Sequence, residues 1–284
     1  MSGGSARAAI VTVTYDSVDV LPAFLASTQD ASAGRVEVVV ADNDSATADE
    51  LRQITEAASA RFYAVGANRG YGTAVNRAVA TLDPDVGWVL VSNPDVVLEP
   101  LALDRMIDTA AADPSIGAVG PRLLEPSGEV YPSARAVPSL RTGLGHALFA
   151  NVWTSNPWTK RYRQDGDHSG RRDAGWLSGA CVLVRRDVFD RLGGFDEDYF
   201  MYFEDVDLGW RIGRAGLRNV YEPAATAIHI GGTATQGSSD RMRRAHHHSA
   251  YRFLAQKYAA WWLWPLRAVL RVALAVRARA THTR

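Results

Sequence analysis

Short β-branched apolar runs alternate with stretches of helical period along the first 124 residues, and that rhythm leaves few folds open. "AAIVTVTY" (8–15), "VEVVVADND" (36–44), "RFYAVG" (61–66), "VGWVLVSN" (86–93) and "IGAVGPRLL" (116–124) read as buried strands. Between them, "SVDVLPAFLASTQDA", "ATADELRQITEAAS", "GYGTAVNRAVATL" (70–82) and "ALDRMIDTAAAD" read as helices. The alternation predicts an α/β fold: a parallel, Rossmann-like sheet flanked by helices.

Sheets of this kind take ligands at the C-terminal ends of their strands. Three ends here carry polar groups: Tyr15-Asp16, Asp42-Asn43-Asp44 and Asn93-Pro94-Asp95. Pro94 cannot donate to a ladder and holds Asn93 extended, so the fourth run stops with a carboxylate at its tip. Asn-Pro-Asp is also ordinary turn chemistry. The company of the other two ends favours a ligand site.

The pattern loosens over 131–173, which is rich in Pro, Gly, Ser, Arg and Trp. Irregular stretches of that length inside a domain are more often functional than structural. Regularity returns with a strand and short helix in "GWLSGACVLVRRDVFDRLGGFDE" (175–197), a turn and helix in "YFMYFEDVDLGWRIGRAG" (199–216), and a strand in "NVYEPAATAIHIGG" (219–232).

Composition sets outer bounds. With 284 residues, 47% hydrophobic and 22% charged, the chain has globular composition and the length of one large α/β domain. Its single cysteine, Cys181, cannot form an internal disulfide and reads as core filler. The start, "MSGGSARAAIVTVTY", enters a strand without a signal-peptide pattern, and no uninterrupted apolar run suits a membrane span.

The net charge of zero hides an asymmetry. From Arg241 onward there are ten Lys and Arg and no acid, while residues 1–240 carry 21 basic and 31 acidic groups. A basic tail predicts an anionic partner. In "WWLWPLRAVLRVALAVRAR", Leu266, Val269, Leu270, Ala273 and Leu274 recur at helical spacing, with Arg267 and Arg271 on another face. Trp261, Trp262 and Trp264 suit a headgroup boundary. This is the pattern of an interfacial helix on a membrane surface, and it fits better than nucleic acid. Packing on the domain or on a second copy, as a homodimer, is the alternative. The division drawn from composition is a domain over 1–240 and a basic amphipathic helical segment over 241–284.

"FEDVDLGWR" puts Glu204, Asp205 and Asp207 in the first turns of a helix, where the dipole favours acids. Glu204 and Asp205 follow the apolar "YFMYF", and carboxylates beside buried aromatics suit general-base work. Asp207 and Arg211, at i, i+4, suit an ion pair. His229, in "AIHIGG", is a core histidine if taken alone. With Asp95 it offers one nitrogen and one oxygen to Mg²⁺ or Mn²⁺, whose remaining ligands a diphosphate could supply.

The ordered set "VTVTYDS", "ADNDS", "GANRGYGTAVNRA", "NPDV", "YPSAR", "GWLSGACVLVRR", "GGFDEDYFMYFEDVDLGWR" and "AHHHSAYRFLA" resembles, over nearly the whole chain, the family-2 glycosyltransferases of the GT-A fold. It is most similar to the actinobacterial rhamnosyltransferases that act on polyprenyl-diphosphate-linked N-acetylglucosamine in cell-wall linker assembly. The resemblance implies a GT-A sheet with a C-terminal helical extension, on the cytoplasmic face of the membrane. It implies dTDP-L-rhamnose as donor and the polyprenyl-diphosphate-GlcNAc as acceptor.

By the same resemblance, "NPD" stands where a DxD metal motif usually stands: Asn93 replaces the first acid and Asp95 is the retained ligand, with His229 the second metal contact. Asp42 accepts the N3–H of the pyrimidine. Thr14 and Tyr15 line the base and ribose, with Asn68, Arg69 and Gly70 nearby. Asp205 is the implied base and Glu204 its alternative, in a single inverting displacement. Trp176 either stacks on a sugar or belongs to the core; Ser178 and Gly179 offer hydrogen bonds to the acceptor. Two other classes compete: a sugar-nucleotide pyrophosphorylase, disfavoured because a glycine-rich basic phosphate loop is missing near the N-terminus, and a non-catalytic nucleotide-sugar or lipid-carrier binding module.

Overall fold

The structure, a computed structural model, describes residues 7–139, 168–231 and 239–280. The first half follows the strand–helix rhythm of the sequence. Strands β1 (Arg7–Thr14), β2 (Val36–Asp42), β3 (Arg61–Ala64) and β4 (Val86–Ser92) lie parallel in the order β3-β2-β1-β4. They are joined by α1 (Leu21–Thr28), α2 (Ala48–Ala57) and α3 (Tyr71–Val79). β1 is buried from Ala8 onward, so neither face shows the alternation of a half-exposed strand.

Beyond β4 the sheet departs from the parallel expectation. β5 (Val96–Leu98) and α4 (Ala102–Ala111) lead into β6 (Ile116–Leu124), but β6 does not lie beside β4. The later strand β11 (Cys181–Arg185) sits between them, antiparallel to both. β12 (Arg218–His229) then runs parallel to β6, and β5 forms the far edge, antiparallel to β12. The sheet is therefore mixed. A single-sequence pattern cannot show this, because a fully buried strand reads the same in either direction.

The irregular 131–173 stretch contains, among its described residues, only small elements. β7 (Val130–Tyr131) pairs with β6, and β8 (Ala134–Arg135) pairs with β10 (Trp176–Leu177). β9 (Arg172–Ala174) pairs with β12. Residues 140–167 of that stretch lie outside the described residues. Two helices follow β11: α5 (Arg186–Arg191) and α6 (Glu204–Arg214).

Two apolar clusters fill the two faces of the sheet. One packs α3, α5 and α6 against it through residues such as Val75, Phe189, Phe195, Leu208 and Ile212; the other packs α1 and α4 through Phe24, Leu103 and Met106. Cys181 is buried in the second, and burial pushes its thiol up to about 12, which makes it inert filler.

A third cluster joins Trp176, Tyr199 and Val206 to Phe253. Phe253 belongs to α7 (Ser239–Lys257) and is fully buried. Composition at residue 240 thus divides charge, not packing. The chain breaks further on, where a 3₁₀ turn (Trp261–Leu263) leads into α8 (Trp264–Ala280).

The expected Asp207–Arg211 pair is formed. Arg211 Nε lies 2.6 Å from Asp207 Oδ2, and its Nη atoms donate to the carbonyls of Leu192 and Gly194. Asp207 is fully buried, so the pair ties α6 to the turn after α5. Removing one member leaves a buried charge without its partner, which costs about 3–5 kcal/mol. Asp207→Ala should lower the unfolding free energy by that order in urea titration.

Candidate active site

The C-terminal ends of β1, β2 and β4 share one edge because Thr14 pairs with Asp42 and Thr12 with Ser92. Asp42 is buried there. Its Oδ2 accepts the Ser45 N–H at 3.2 Å, and the Thr14 hydroxyl lies 3.5 Å from its Oδ1. Asn68 Oδ1 accepts from Asn43 Nδ2 at 3.0 Å and from the Gly70 N–H at 3.3 Å. Thr14, Asp42, Asn68 and Gly70 are thus brought together, while Tyr15 and Arg69 project from the same edge, exposed. Gly70 has φ of 102°, and a Cβ there would fall 2.3 Å from the Phe200 carbonyl oxygen. Only glycine lets this loop meet the 200 segment.

The second cluster follows from sheet register. Antiparallel pairing of β5 with β12 sets His229 opposite Val96, next in sequence to Asp95. The Asp95 Oδ1 and His229 Nε2 atoms come within 3.3 Å, yet their geometry does not form a hydrogen bond, and Oδ1 is a buried oxygen without one. Adjacent ligands at about 2.0–2.1 Å on an octahedral cation stand about 3 Å apart, so the spacing fits two shared-metal ligands. No group of three or more His, Cys, Asp or Glu occurs as a metal site among the described residues. A cation held there would take its further oxygens from substrate or water. Asn93 is half-buried beside them, its N–H bonded to the Ala180 carbonyl.

The antiparallel direction of β11 creates the third cluster. β11 begins where β4 ends, with Cys181 opposite Ser92, so Ser178-Gly179-Ala180 arrives at the ligand edge. The Gly179 N–H donates to Asp205 Oδ2 at 3.0 Å, and its carbonyl accepts the Tyr71 hydroxyl at 3.0 Å. The Val206 N–H donates to Asp205 Oδ1 at 2.8 Å. Both oxygens of Asp205 are therefore fixed, at the start of α6.

Tyr202 and Phe203, just before α6, have φ of 66° and 70°. Left-handed conformations in bulky residues cost about 1–3 kcal/mol each and persist only where surrounding contacts impose them. α7 supplies such contacts. His246 lies edge-on to both rings, and the Ser249 hydroxyl donates to the Met201 carbonyl.

Burial raises both carboxyls above their ordinary range. In Glu204 the neighbouring Asp205 adds to the effect, and Oε2 is buried without a hydrogen bond. In Asp205 the two backbone N–H bonds and the Arg135 charge pull back towards ionisation. Asp205 also keeps partial exposure, whereas Glu204 is buried. The geometry therefore favours Asp205 as proton acceptor and leaves Glu204 as a neutral neighbour. Tyr71, whose hydroxyl donates to the Gly179 carbonyl, is itself raised by burial and by Glu204, Asp205 and Asp95.

Trp176 is 7% exposed, packs against Gly209 and donates its indole N–H to the Ala136 carbonyl. Its place is with the core, which favours the packing alternative over sugar stacking. Ser178 is buried, and its N–H donates to the Ser133 carbonyl. Gly179 spends both backbone groups on the site itself. Residue reading missed Tyr71 and Arg135. The signal for Tyr71 was its place directly after a helix-opening glycine; that for Arg135 was the "YPSAR" string.

The family model described as glycosyl transferase family 2 matches residues 9–193. The chain belongs to that family. This family-2 glycosyltransferase is 45% identical over 277 residues to the N-acetylglucosaminyl-diphospho-decaprenol L-rhamnosyltransferase of Mycobacterium tuberculosis, covering 94% of this chain and 90% of that one. It is also 43% identical over 82 residues, 29% of this chain and 31% of the other, to a rhamnosyltransferase of Escherichia coli K12. Among solved structures it resembles a mannosyltransferase of Pyrobaculum calidifontis in complex with GDP-Man and Mn²⁺, with TM-score 0.59, 18% identity and coverage of 98% and 79%. Residues 1–349 of Staphylococcus aureus TarS give TM-score 0.57, 15% identity and coverage of 86% and 64%. The GT-A fold is shared.

Asp205→Asn keeps shape but cannot accept a proton, and kcat should fall about 10²–10⁴-fold. Glu204→Gln should retain most of the wild-type rate. A base raised by burial works only when ionised, so kcat should decline as pH falls through a pKa above the ordinary aspartate value of about 3.9. A kcat–pH profile of the wild type and both variants reads all three outcomes.

Proposed function

We propose that this glycosyltransferase moves L-rhamnose from dTDP-L-rhamnose to N-acetylglucosaminyl-diphospho-polyprenol, with inversion, in assembly of the cell-wall linker. The observation that carries the substrates is the 45% identity, over most of both chains, to the mycobacterial enzyme of that name. The geometry supports the roles. Asp42 and Thr14 receive the pyrimidine and ribose, with Asn68, Arg69 and Gly70 beside them. Asp205 takes the proton of the acceptor hydroxyl. A bond forms from that oxygen to the anomeric carbon as the bond from that carbon to the diphosphate breaks, on the opposite face. Inversion turns a β-linked donor into an α-L-rhamnoside.

Asp95 and His229 would hold a divalent cation, Mg²⁺ or Mn²⁺, whose chemistry is to neutralise the departing diphosphate. One carboxylate and one imidazole form a lean site, so cation affinity should depend on the nucleotide. Asp95→Ala should weaken dTDP binding in the presence of Mg²⁺ or Mn²⁺ and leave metal-free binding nearly unchanged. Calorimetry with and without metal distinguishes these outcomes.

The tail supports work at the cytoplasmic membrane surface, where a polyprenyl acceptor lies. Among the described residues no helix is long and apolar enough to cross a membrane. Trp261, Trp262, Trp264, Val269 and Val272 are all more than 60% exposed, a group of uncovered apolar side chains at the 3₁₀ turn and α8. Arg267 is engaged by the Tyr258 and Ala260 carbonyls, so it fastens α8 to the end of α7 and leaves less charge for lipid than the sequence pattern implied. Each remaining Lys or Arg near an anionic surface adds about 1 kcal/mol. Truncation before Trp261 should release the protein from anionic vesicles and preserve transfer to a short-chain soluble acceptor. A truncated protein that aggregates, or loses that transfer, would assign α8 to a dimer interface or to the domain instead.

A further inference from the structure

Arg135 lies near the start of α6, and no carboxylate among the described residues pairs with its charge. β8 pairs with β10 so that Arg135 lies opposite Trp176. Its guanidinium sits 5.6 Å from the Trp176 ring centroid and 5.9 Å from that of Tyr131. Trp176 in turn packs on Gly209, one helical turn beyond Asp205 on α6. Tyr131 meets the His229 ring edge-on at 5.5 Å. The guanidinium thus neighbours two rings, one packed on α6 and the other against His229. Arg135 Nε donates to the Pro132 carbonyl at 2.6 Å, which fixes the plane. Among the described residues neither Nη atom has a hydrogen-bond partner, and no carboxylate forms an ion pair with Arg135. The residue is partly exposed.

We propose that Arg135 binds the diphosphate of the acceptor; this rests on the acceptor class given above. When an acceptor hydroxyl is seated on Asp205, a diphosphate on the same sugar lies about one pyranose ring away. A fixed guanidinium with free Nη donors matches phosphate oxygens in a fork. Position favours the acceptor over the donor: Arg135 lies against Trp176, which packs on α6 one turn beyond Asp205, whereas the Tyr131 ring separates it from His229. Arg135 is therefore an acceptor-binding residue that also selects for phosphorylated acceptors.

The test compares three substrates in wild type, Arg135→Ala and Arg135→Lys: a short-chain prenyl-diphosphate-GlcNAc, a phosphate-free alkyl N-acetylglucosaminide, and dTDP-L-rhamnose. Loss of a charge-assisted fork should raise KM for the diphosphate acceptor about 10- to 100-fold in the alanine variant. Lysine, a point charge without the fork, should fall between. The wild-type preference for the diphosphate acceptor over the alkyl one should collapse, and the donor KM should move far less. Arg135→Gln keeps the polar stem and replaces the alanine variant should that one fail to fold. A wild-type preference that survives in both variants overturns the role of Arg135 alone. A raised donor KM moves Arg135 to the donor and overturns the proposal. Equal use of both acceptors by the wild type overturns the diphosphate part of the functional reading, and the proposal with it.

Discussion

The backbone of one residue, Gly179, holds the site together. The N–H of Gly179 fixes Asp205, and the Gly179 carbonyl takes the hydroxyl of Tyr71. Those two contacts tie the start of β11 to the first residues of α3 and α6, three segments far apart in sequence. They are available only because β11 runs against its neighbours and brings its N-terminal end to the edge where β4 stops. A charge-assisted bond from a backbone N–H is strong and carries no rotamer freedom. The Asp205 carboxylate is thereby oriented before any substrate arrives, which is where a site using it as the proposed base would gain most.

Electrostatic division of labour follows from the same arrangement. Two adjacent carboxyls in one buried turn cannot both ionise cheaply. Backbone donors and a nearby guanidinium reach Asp205, while one oxygen of Glu204 has no hydrogen bond. Burial raises both carboxyls, and environment rather than residue type gives Asp205 the donors that favour its anion while Glu204 is raised further by its neighbour.

Much of this was legible in the sequence, for definable reasons. β-branched runs and helical periods located β1 to β4 and their helices. Polar strand ends marked Asp42 and Asp95, because a buried strand rarely stops on an acid without cause. The i, i+4 spacing gave Asp207–Arg211. What stayed hidden depends on long-range register. Nothing in "GACVLVRR" states that it runs antiparallel between two earlier strands. The meeting of His229 with Asp95 needs the short edge strand β5, whose three residues are too few to show a period. Trp176 read equally as platform or core, since an indole serves both, and only its bond to the Ala136 carbonyl and its contact with Gly209 place it.

The left-handed pair Tyr202–Phe203 is kept in place from α7, through His246 and Ser249, with Phe253 sealing the cluster beneath. Asp205 therefore leans on a helix that composition assigns to the tail. Chimaeras between relatives would inherit that dependence. A junction at residue 240 would separate Asp205 from its buttress, whereas one at 258–260, where the chain breaks before the exposed tryptophans, would exchange α8 and leave the packing around Asp205 intact.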